Sequence, residues 1–514
     1  MIQLDYWNHP LIVKAVRVKY RGGRIFWTAS SYLLLLMMGG VALHRYQQLL
    51  QFEDWARVYF IIMISVQFFI AGMIALSTTA SSMQSEVTTR ALDFQRIAAI
   101  SPIQIVLGKV IGEPVTSYLL SMSTIPIAVL CCTQTNIAGE EVVLLYVTLA
   151  TTSFLGACLG IQHTLDPTSK GANAGAVVGM LGALIIPAIG MPVAALGARV
   201  GLAGLLRALV GLLTPVFSIK GMAMPGLTIW SEQMPFFGAN IPYALLTPVA
   251  QLALAALLVL FMTRRFTQPL LTSLSKLQSY AVLIVLDLLW AGLEYESVFL
   301  ARGLTDAGMR YAMGHTVLAL GVLSRATPGR ETVQSWVWRF RGRRSLLADL
   351  WLGERSPNVL ALITYSLIGP LVFGLAVAVP AGISKPAVIQ QALLEPLGIA
   401  GTVSVLVILC YGVCCQAVNA AVGKGAGAIF FVSLLIGLLA PFAVGEGFGE
   451  PVITSLSPLA TFIRLHEADS PPYHPAPFVA VHLAGIAFWG WGLYGMTQRT
   501  IRQVERKLDA MGVK

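Results

Sequence analysis

Two acidic residues lie inside apolar stretches of this 514-residue sequence and are the first candidates for chemistry. Glu113 stands between a glycine and a proline, and Asp287 stands in a leucine-rich run. A charged side chain at the centre of a bilayer costs at least about 2.5–3.5 kcal/mol, so such residues generally mark a functional site. We therefore take Glu113 and Asp287 as candidates for a substrate path. Pairing within a helix bundle is the structural alternative for both.

Other chemistry-bearing residues lack the spacing that a reaction or a metal would need. His466, Glu467, Asp469 and His474 lie close together in the sequence, but they fit no zinc template. The six cysteines lie in or beside apolar segments without ligand spacing. Neither Gly-Lys pair is followed by the Ser or Thr of a phosphate-binding loop. We predict that the chain is not an enzyme and that it holds no metal or cofactor of its own.

The composition places the chain in a membrane. Hydrophobic residues make up 56% of it and charged residues only 11%, whereas about 25% of the residues in ordinary globular domains are charged. Several apolar runs reach the roughly 20 residues that cross a bilayer as a helix. We predict an all-α integral membrane protein with about twelve spans. They lie near 25–43, 58–76, 103–131, 141–162, 173–196, 242–263, 278–300, 311–324, 358–381, 393–418, 427–446 and 477–496.

Basic residues sort to one side of this predicted membrane. About three quarters of the 34 lysines and arginines fall in alternate loops and in the two ends, which the positive-inside rule places in the cytoplasm. The sequence therefore predicts a multi-pass protein of the inner (plasma) membrane with both termini cytoplasmic. Counting the apolar stretch 200–218 as a span would reverse the later half, so we interpret 200–240 as an outer hairpin or re-entrant element. The net charge of +10 then reflects topology and gives no reason to expect nucleic acid.

The segment before the first span predicts a short helix on the inner membrane surface. Asn8-His9-Pro10 is a helix-start signal with proline in the first turn. Lys14, Arg17 and Arg21 recur at helical spacing on one face, and apolar residues occupy the other. This basic face is predicted to contact the phosphates of the lipid bilayer.

The loop between the second and third spans predicts a short amphipathic helix near 84–100. Glu86 can pair with Arg90, and Asp93 with Arg96, at helical spacing. The helix must end near Ser101-Pro102, because the residue before a proline disfavours helical angles. The apolar stripe of this helix comprises Val87, Ala91, Phe94 and Ala98. Such a helix could lie on lipid, or it could dock a soluble partner.

This loop resembles the coupling-helix region of the type-two (exporter) permeases of ATP-binding-cassette transporters. Those permeases show an acidic start, Gly-Thr-Leu, a proline-flanked stop and a Gly-Lys that enters the next span. Arg90-Ala91 departs from the Gly-Thr of the family, and the resemblance covers about residues 8–265. The matching residues are Leu92, Asp93, Ser101, Pro102, Gly108 and Lys109.

The resemblance implies a permease subunit that moves a substrate by alternating access. A separate cytoplasmic ATPase subunit would bind ATP and magnesium and would dock on the coupling helix. The resemblance also implies an amphipathic elbow helix before the first span, and export as the direction. The substrate stays unidentified and could be a small molecule, a lipid or a peptide.

The second half could repeat the first or could be an appended six-span module. Ser101-Pro102 and Ser356-Pro357 both stand directly before a span, each after an acidic, leucine-containing segment. A true repeat would let one chain seat two ATPases, whereas two chains should otherwise pair as a homodimer. The predicted domains are the interfacial helix 1–24, the permease domain 25–265, the second module 266–497 and the basic cytoplasmic tail 498–514.

Two other functions compete with the permease interpretation. An ion- or proton-coupled secondary transporter with twelve spans would need Glu113 or Asp287 and no ATPase. A membrane scaffold would anchor other proteins and move no solute.

Overall fold

The chain folds almost entirely into helices, as its composition predicts. A computed structural model describes residues 10–50, 54–97, 100–135, 137–165, 211–223, 228–268, 271–296, 303–340, 346–378, 396–422, 429–430, 432–434, 436–437, 441, 456–458 and 475–510. Within these residues, nine helices are long and apolar enough to cross a membrane. The protein is therefore a multi-pass, all-α membrane protein.

Each of the nine helices overlaps a predicted span. The predicted span 173–196 lies outside the described residues, and 427–446 lies mostly outside them. A helix does cover 311–324, but it begins at Gly303 and is not apolar enough to count among the nine. The third candidate span, Pro102–Gln134, consists of three successive helices with breaks near Pro114 and Thr124.

The chain divides into two compact units. Unit 1 comprises Met1–Ala195, Leu206–Met234 and Asn240–Thr267, and unit 2 comprises Leu196–Leu205, Pro235–Ala239 and Gln268–Lys514. Among the described residues, the helices up to Thr267 are α1 (Pro10–Tyr20), α2 (Arg24–Leu50), α3 (Trp55–Thr88), α4 (Ala91–Ile97), α5 (Pro102–Gly112), α6 (Val115–Ser123), α7 (Ile125–Gln134), α8 (Gly139–Leu165), α9 (Val216–Ala223) and α10 (Tyr243–Thr267).

The later helices belong to unit 2. They are α11 (Lys276–Glu294), α12 (Gly303–Ala326), α13 (Arg330–Phe340), α14 (Leu346–Leu352), α15 (Val359–Phe373), α16 (Pro396–Val422) and α17 (Pro475–Ala510). A single π-helical turn, Gly374–Ala378, extends α15.

The predicted re-entrant region is described only from residue 211 onward. It contains α9, of eight residues, and a hairpin of β1 (Gln233–Phe236) and β2 (Ala239–Pro242). An eight-residue helix rises about 12 Å, too little to cross the bilayer. The described part thus contains no helix that could span, and the hairpin is a small departure from an all-helical chain.

Unit 1 is built around the contact between α3 and α8, where glycines let the two backbones approach. A Cβ added at Gly156 would lie 2.8 Å from the carbonyl oxygen of Gly72, and one added at Gly160 would lie 2.5 Å from that of Leu76. The hydroxyl of Thr79 also donates to the carbonyl of Ala157 across this interface, at 3.2 Å. Close backbone contact of this kind replaces the hydrophobic drive that helices lack among lipid tails.

Unit 2 holds its helices together with buried polar contacts. The hydroxyls of Thr316 on α12 and Ser404 on α16 lie 2.7 Å apart. The side-chain amide of Asn358, just before α15, donates at 3.2 Å to the carbonyl of Ala326 at the end of α12. These bonds connect the helices that precede and follow the loop containing α14.

The α3–α8 contact predicts a sharp difference between two glycines. Gly160→Leu forces a side chain into the backbone of α3 and should lower stability by about 1–3 kcal/mol or more, the usual cost of overpacking. Gly39→Ala on α2 is the control, since a Cβ there meets nothing within 4 Å. Thermal unfolding in detergent should show a lowered midpoint for Gly160→Leu alone. Equal midpoints for the two variants would contradict the contact.

Candidate functional site

The predicted coupling region is a short helix set off from the end of a long span. Helix α3 runs on to Thr88, and the backbone then turns at Arg90, whose φ of 56° lies in the left-handed region. Helix α4 follows with only seven residues, Ala91–Ile97. The prediction of one helix near 84–100 is therefore wrong in its continuity. Because of the break, Val87 and Phe94 do not share one helical stripe.

A buried ion pair fixes this turn to the next span. Glu86, in the last turn of α3, pairs with Lys109 of α5, and the side chains are only 11% and 4% exposed. Gln95 of α4 donates from Nε2 to the same carboxylate at 2.9 Å. Three helices thus meet at one carboxylate. We refer to Glu86, Lys109 and Gln95 as the brace.

The brace replaces the first of the two predicted ion pairs, Glu86 with Arg90. The left-handed break removes the helical spacing that would bring Arg90 beside Glu86, and Glu86 pairs with Lys109 instead. The second predicted pair, Asp93 with Arg96, lies outside the description because the side chain of Arg96 is not described.

The N-terminal helix α1 packs against the same region. Helix α1 spans Pro10–Tyr20, and the residues before it lie outside the described part of the chain, so the start signal at Asn8-His9-Pro10 stays a prediction. A Cβ at Gly112 would lie 3.1 Å from the Cα of Ile12, so α1 and α5 nearly touch. Lys14 reaches to 3.9 Å from the Glu86 carboxylate, although its own side chain is 65% exposed. Helix α1 therefore contacts both α5 and the Glu86 carboxylate at this turn.

The Glu113 carboxylate is paired with two neighbouring side chains in unit 1. Its carboxylate lies 3.4 Å from the ammonium of Lys19 on α1 and accepts a hydrogen bond of 2.7 Å from Ser82 on α3. Burial lowers the pKa of Lys19 from its ordinary value, and the Glu113 carboxylate opposes that shift. The structure thus places Glu113 in a three-helix contact of α1, α3 and α5, and its role in a substrate path stays a prediction.

The exposed surface of the turn combines polar residues, among them Thr88, Thr89 and Arg90, with the apolar side chain of Phe94. The Phe94 side chain is 75% exposed and Asp93 beside it is exposed, whereas Leu92 is buried. Ser101 caps α5 through a capping box with Gln104, so Ser101-Pro102 does begin the next span. Phe94 is therefore accessible at this end of α3.

The basic residues of α1 lie as the sequence predicts. Lys14, Arg17 and Arg21 are exposed, and Ala15 on the opposite side of the helix is buried. The contact of this basic face with lipid stays a prediction.

Asp287 has a partner that sequence reasoning missed. Nδ1 of His315 on α12 lies 2.9 Å and 3.1 Å from the two carboxylate oxygens of Asp287 on α11, and both side chains are almost fully buried. The ring of Tyr311, one turn before His315, lies parallel to the imidazole with the centroids 6.5 Å apart. Gly369 of α15 leaves the space that the imidazole occupies. A carboxylate beside an imidazole can hold one exchangeable proton between them.

Comparison with known proteins finds no matching family model, no matching curated protein and no matching solved structure.

The brace predicts that Lys109 contributes more than Lys14 to the free energy of unfolding, although both lie near the Glu86 carboxylate. Lys109→Met leaves the Glu86 carboxylate buried without its cation and should cost about 3–5 kcal/mol. Lys14→Met removes an exposed lysine and should cost about 0–1 kcal/mol. The double variant Lys109→Met with Glu86→Leu should recover much of the loss, because no uncompensated charge is left. Equal losses for Lys109→Met and Lys14→Met, measured by thermal unfolding in detergent, would rule out the brace.

Proposed function

We propose that this chain is the membrane-spanning permease subunit of an ATP-binding-cassette transporter. A separate cytoplasmic ATPase subunit docks on α4, and the chain itself carries out no chemistry. The observation that carries this proposal is the construction of the α4 turn, in which the brace ties a short helix with an exposed Phe94 to two spanning helices. The resemblance of residues 86–109 to a coupling-helix region supports the same assignment.

The brace explains how a partner bound to α4 could move the two spanning helices. Glu86 is part of α3 and Lys109 is part of α5, so a force on α4 reaches both helices through the brace. A loop without such contacts could move while α3 and α5 stayed in place. A buried ion pair resists separation, so α3 and α5 move with α4. ATP binding and hydrolysis on the partner would tilt α3 and α5 and expose the substrate path to alternate sides of the membrane. The proposed direction is export, and the substrate is a small molecule, a lipid or a peptide.

Loss of the exposed tip should remove the ATPase. Phe94→Asp places a carboxylate on a surface that is already exposed, so the fold should be unchanged while an apolar contact is lost. The wild-type protein, purified in mild detergent, should carry an ATPase whose sequence contains a phosphate-binding loop. We expect at least a tenfold loss of that ATPase from the variant, since tenfold corresponds to about 1.4 kcal/mol.

Val18→Asp on α1 is the matched control, because Val18 is also exposed, at 66%. It should retain the ATPase. A well-folded wild-type protein from which no such ATPase is ever recovered would contradict the proposed function.

The Asp287–His315 pair favours a second candidate function, a proton-coupled secondary transporter. A buried carboxylate and imidazole in facing helices are the groups from which proton relays in transporters are built. Such a transporter would use this pair and would need no ATPase.

Vesicles distinguish the two functions. In proteoliposomes containing a trapped pH-sensitive dye, a proton-coupled transporter would dissipate an imposed pH gradient without ATP when a solute that it carries is added, and Asp287→Asn or His315→Gln should stop it. The permease proposal predicts no dissipation above that of protein-free vesicles. Rapid dissipation by the wild type that either variant abolishes would favour the second function.

A further inference from the structure

An apolar groove of about 600 Å³ runs between α7 and α8 in unit 1. Helix α7 packs more on α3 than on α8, which leaves space between α7 and α8. Most of the side chains that line the groove are short or β-branched, and they recur at helical spacing. They include Ile125 and Val129 on α7, and Val142, Val143, Val147 and Ala150 on α8. Pockets that bind small ligands measure about 300–1,000 Å³ and are mostly apolar, so the groove has the size and the lining of a ligand site.

The groove is open along one side, and that side lies at the depth of the lipid chains. Val129, Val143 and Val147 line the groove and are exposed. Helices α7 and α8 both belong to candidate spans, Pro102–Gln134 and Gly139–Leu165. The hydrocarbon core of a bilayer contains no water, so a water-soluble ligand does not reach this surface. The occupant is therefore either a lipid or another membrane helix.

The depth of the groove matches one leaflet of the bilayer. Helix α7 ends at Gln134 and α8 begins at Gly139, so the short connection between these two spans lies at one membrane surface. The lining extends from Thr133 and Gly139 at that surface to Ile125 and Ala150 at the other end. Gly139 and Ala150 are about 16 Å apart along α8, at about 1.5 Å per residue. One leaflet contributes about 15 Å of hydrocarbon, whereas a spanning helix needs about 30 Å. The groove thus fits a lipid chain better than a helix.

The surface end of the groove carries a negative charge. Glu140 directly follows Gly139 and is exposed, whereas Glu141 is buried. The Glu141 carboxylate accepts hydrogen bonds of 3.3 Å from the backbone N–H groups of Ala138 and Ile229, so it belongs to the interior of unit 1. Glu140 is therefore the carboxylate that this end of α8 presents at the membrane surface. A carboxylate binds an ammonium group through a strong, charge-assisted hydrogen bond.

An aromatic ring forms part of the wall deeper in the groove. Tyr146 lines the groove, and its hydroxyl lies 2.8 Å from that of Thr124, at the break between α6 and α7. Thr124 also accepts a hydrogen bond from the side-chain amide of the buried Gln67. The hydroxyl of Tyr146 is thus bonded within unit 1, which leaves its ring as an apolar wall for a hydrocarbon chain.

We propose that the α7–α8 groove binds one lipid of the bilayer, with a hydrocarbon chain along the groove and an amine-bearing head group beside Glu140. The occupant is a lipid because the groove is apolar, opens to the hydrocarbon and has the depth of one leaflet. Its head group carries an amine because the surface end of the groove presents a carboxylate. The site is separate from α4 and does not depend on what drives transport.

Native mass spectrometry of the reconstituted protein tests this site. The protein is placed in vesicles of equal parts of phosphatidylethanolamine and phosphatidylglycerol with the same chains, and is then extracted in mild detergent. The wild type should retain one lipid per chain. Phosphatidylethanolamine should be favoured about fivefold, the factor that about 1 kcal/mol gives. Glu140→Gln should still retain a lipid but should lose this preference.

Filling the groove should displace the lipid. Val143→Trp places an indole in the groove from an exposed position, so the fold should be unchanged and the retained lipid should fall at least about tenfold. Val147→Trp is a second variant of the same wall and should act in the same way. Val249→Trp on α10 is the matched control, because Val249 is 64% exposed, against 65% for Val143, and does not line the groove. All three variants should unfold at the midpoint temperature of the wild type.

Three results would overturn the proposal in different ways. Equal lipid retention by Val143→Trp and Val249→Trp would mean that the lipid is bound no more specifically than the rest of the surrounding bilayer. A wild-type dimer without retained lipid, which both Val143→Trp and Val147→Trp convert to monomers, would assign the groove to a second copy of the chain. An unchanged preference for phosphatidylethanolamine in Glu140→Gln would remove the amine from the assignment.

Discussion

The buried ion pair of Glu86 and Lys109 is the contact on which the candidate site depends. Two charges removed from water are stable only when each satisfies the other, so neither residue can leave without a large cost. Glu86 ends α3, Lys109 lies within α5, and Gln95 ties α4 to the same carboxylate. The brace therefore ties the turn, with its exposed Phe94, to both spans.

Unit 2 also contains a buried lysine that binds a turn, Lys276 at the start of α11. The three acceptors of Lys276 are the carbonyl of Leu350 in α14, and the hydroxyl of Ser356 and the carbonyl of Pro357 between α14 and α15. Those three bonds use all the donors that an ammonium has. A lysine that reaches into a turn can thus hold it either through charge or through complete hydrogen bonding. A buried polar contact also positions Asp287 and His315, another polar pair in unit 2.

Local signals in the sequence predict where many helices lie. They do not predict which side chains pair between helices. Ser101-Pro102 begins a helix where the sequence places it, because caps and prolines act within one turn. The break at Arg90 does not follow from residue types, since arginine rarely adopts a positive φ. The partners of Glu86 and Asp287 lie 23 and 28 residues away, beyond any helical spacing. Packing between helices selects such partners, and no periodicity in one helix indicates them.

The central claim is that α4 touches an ATPase, and a photocrosslinker at position 94 tests it most directly. The side chain of Phe94 is 75% exposed, so benzoylphenylalanine fits there without disturbing the brace. The same amino acid at Val18 is the control on α1. Irradiation of native membranes should link position 94, and not position 18, to a protein whose sequence contains a phosphate-binding loop. Adducts of position 94 with lipid alone, in well-folded protein, would contradict the account.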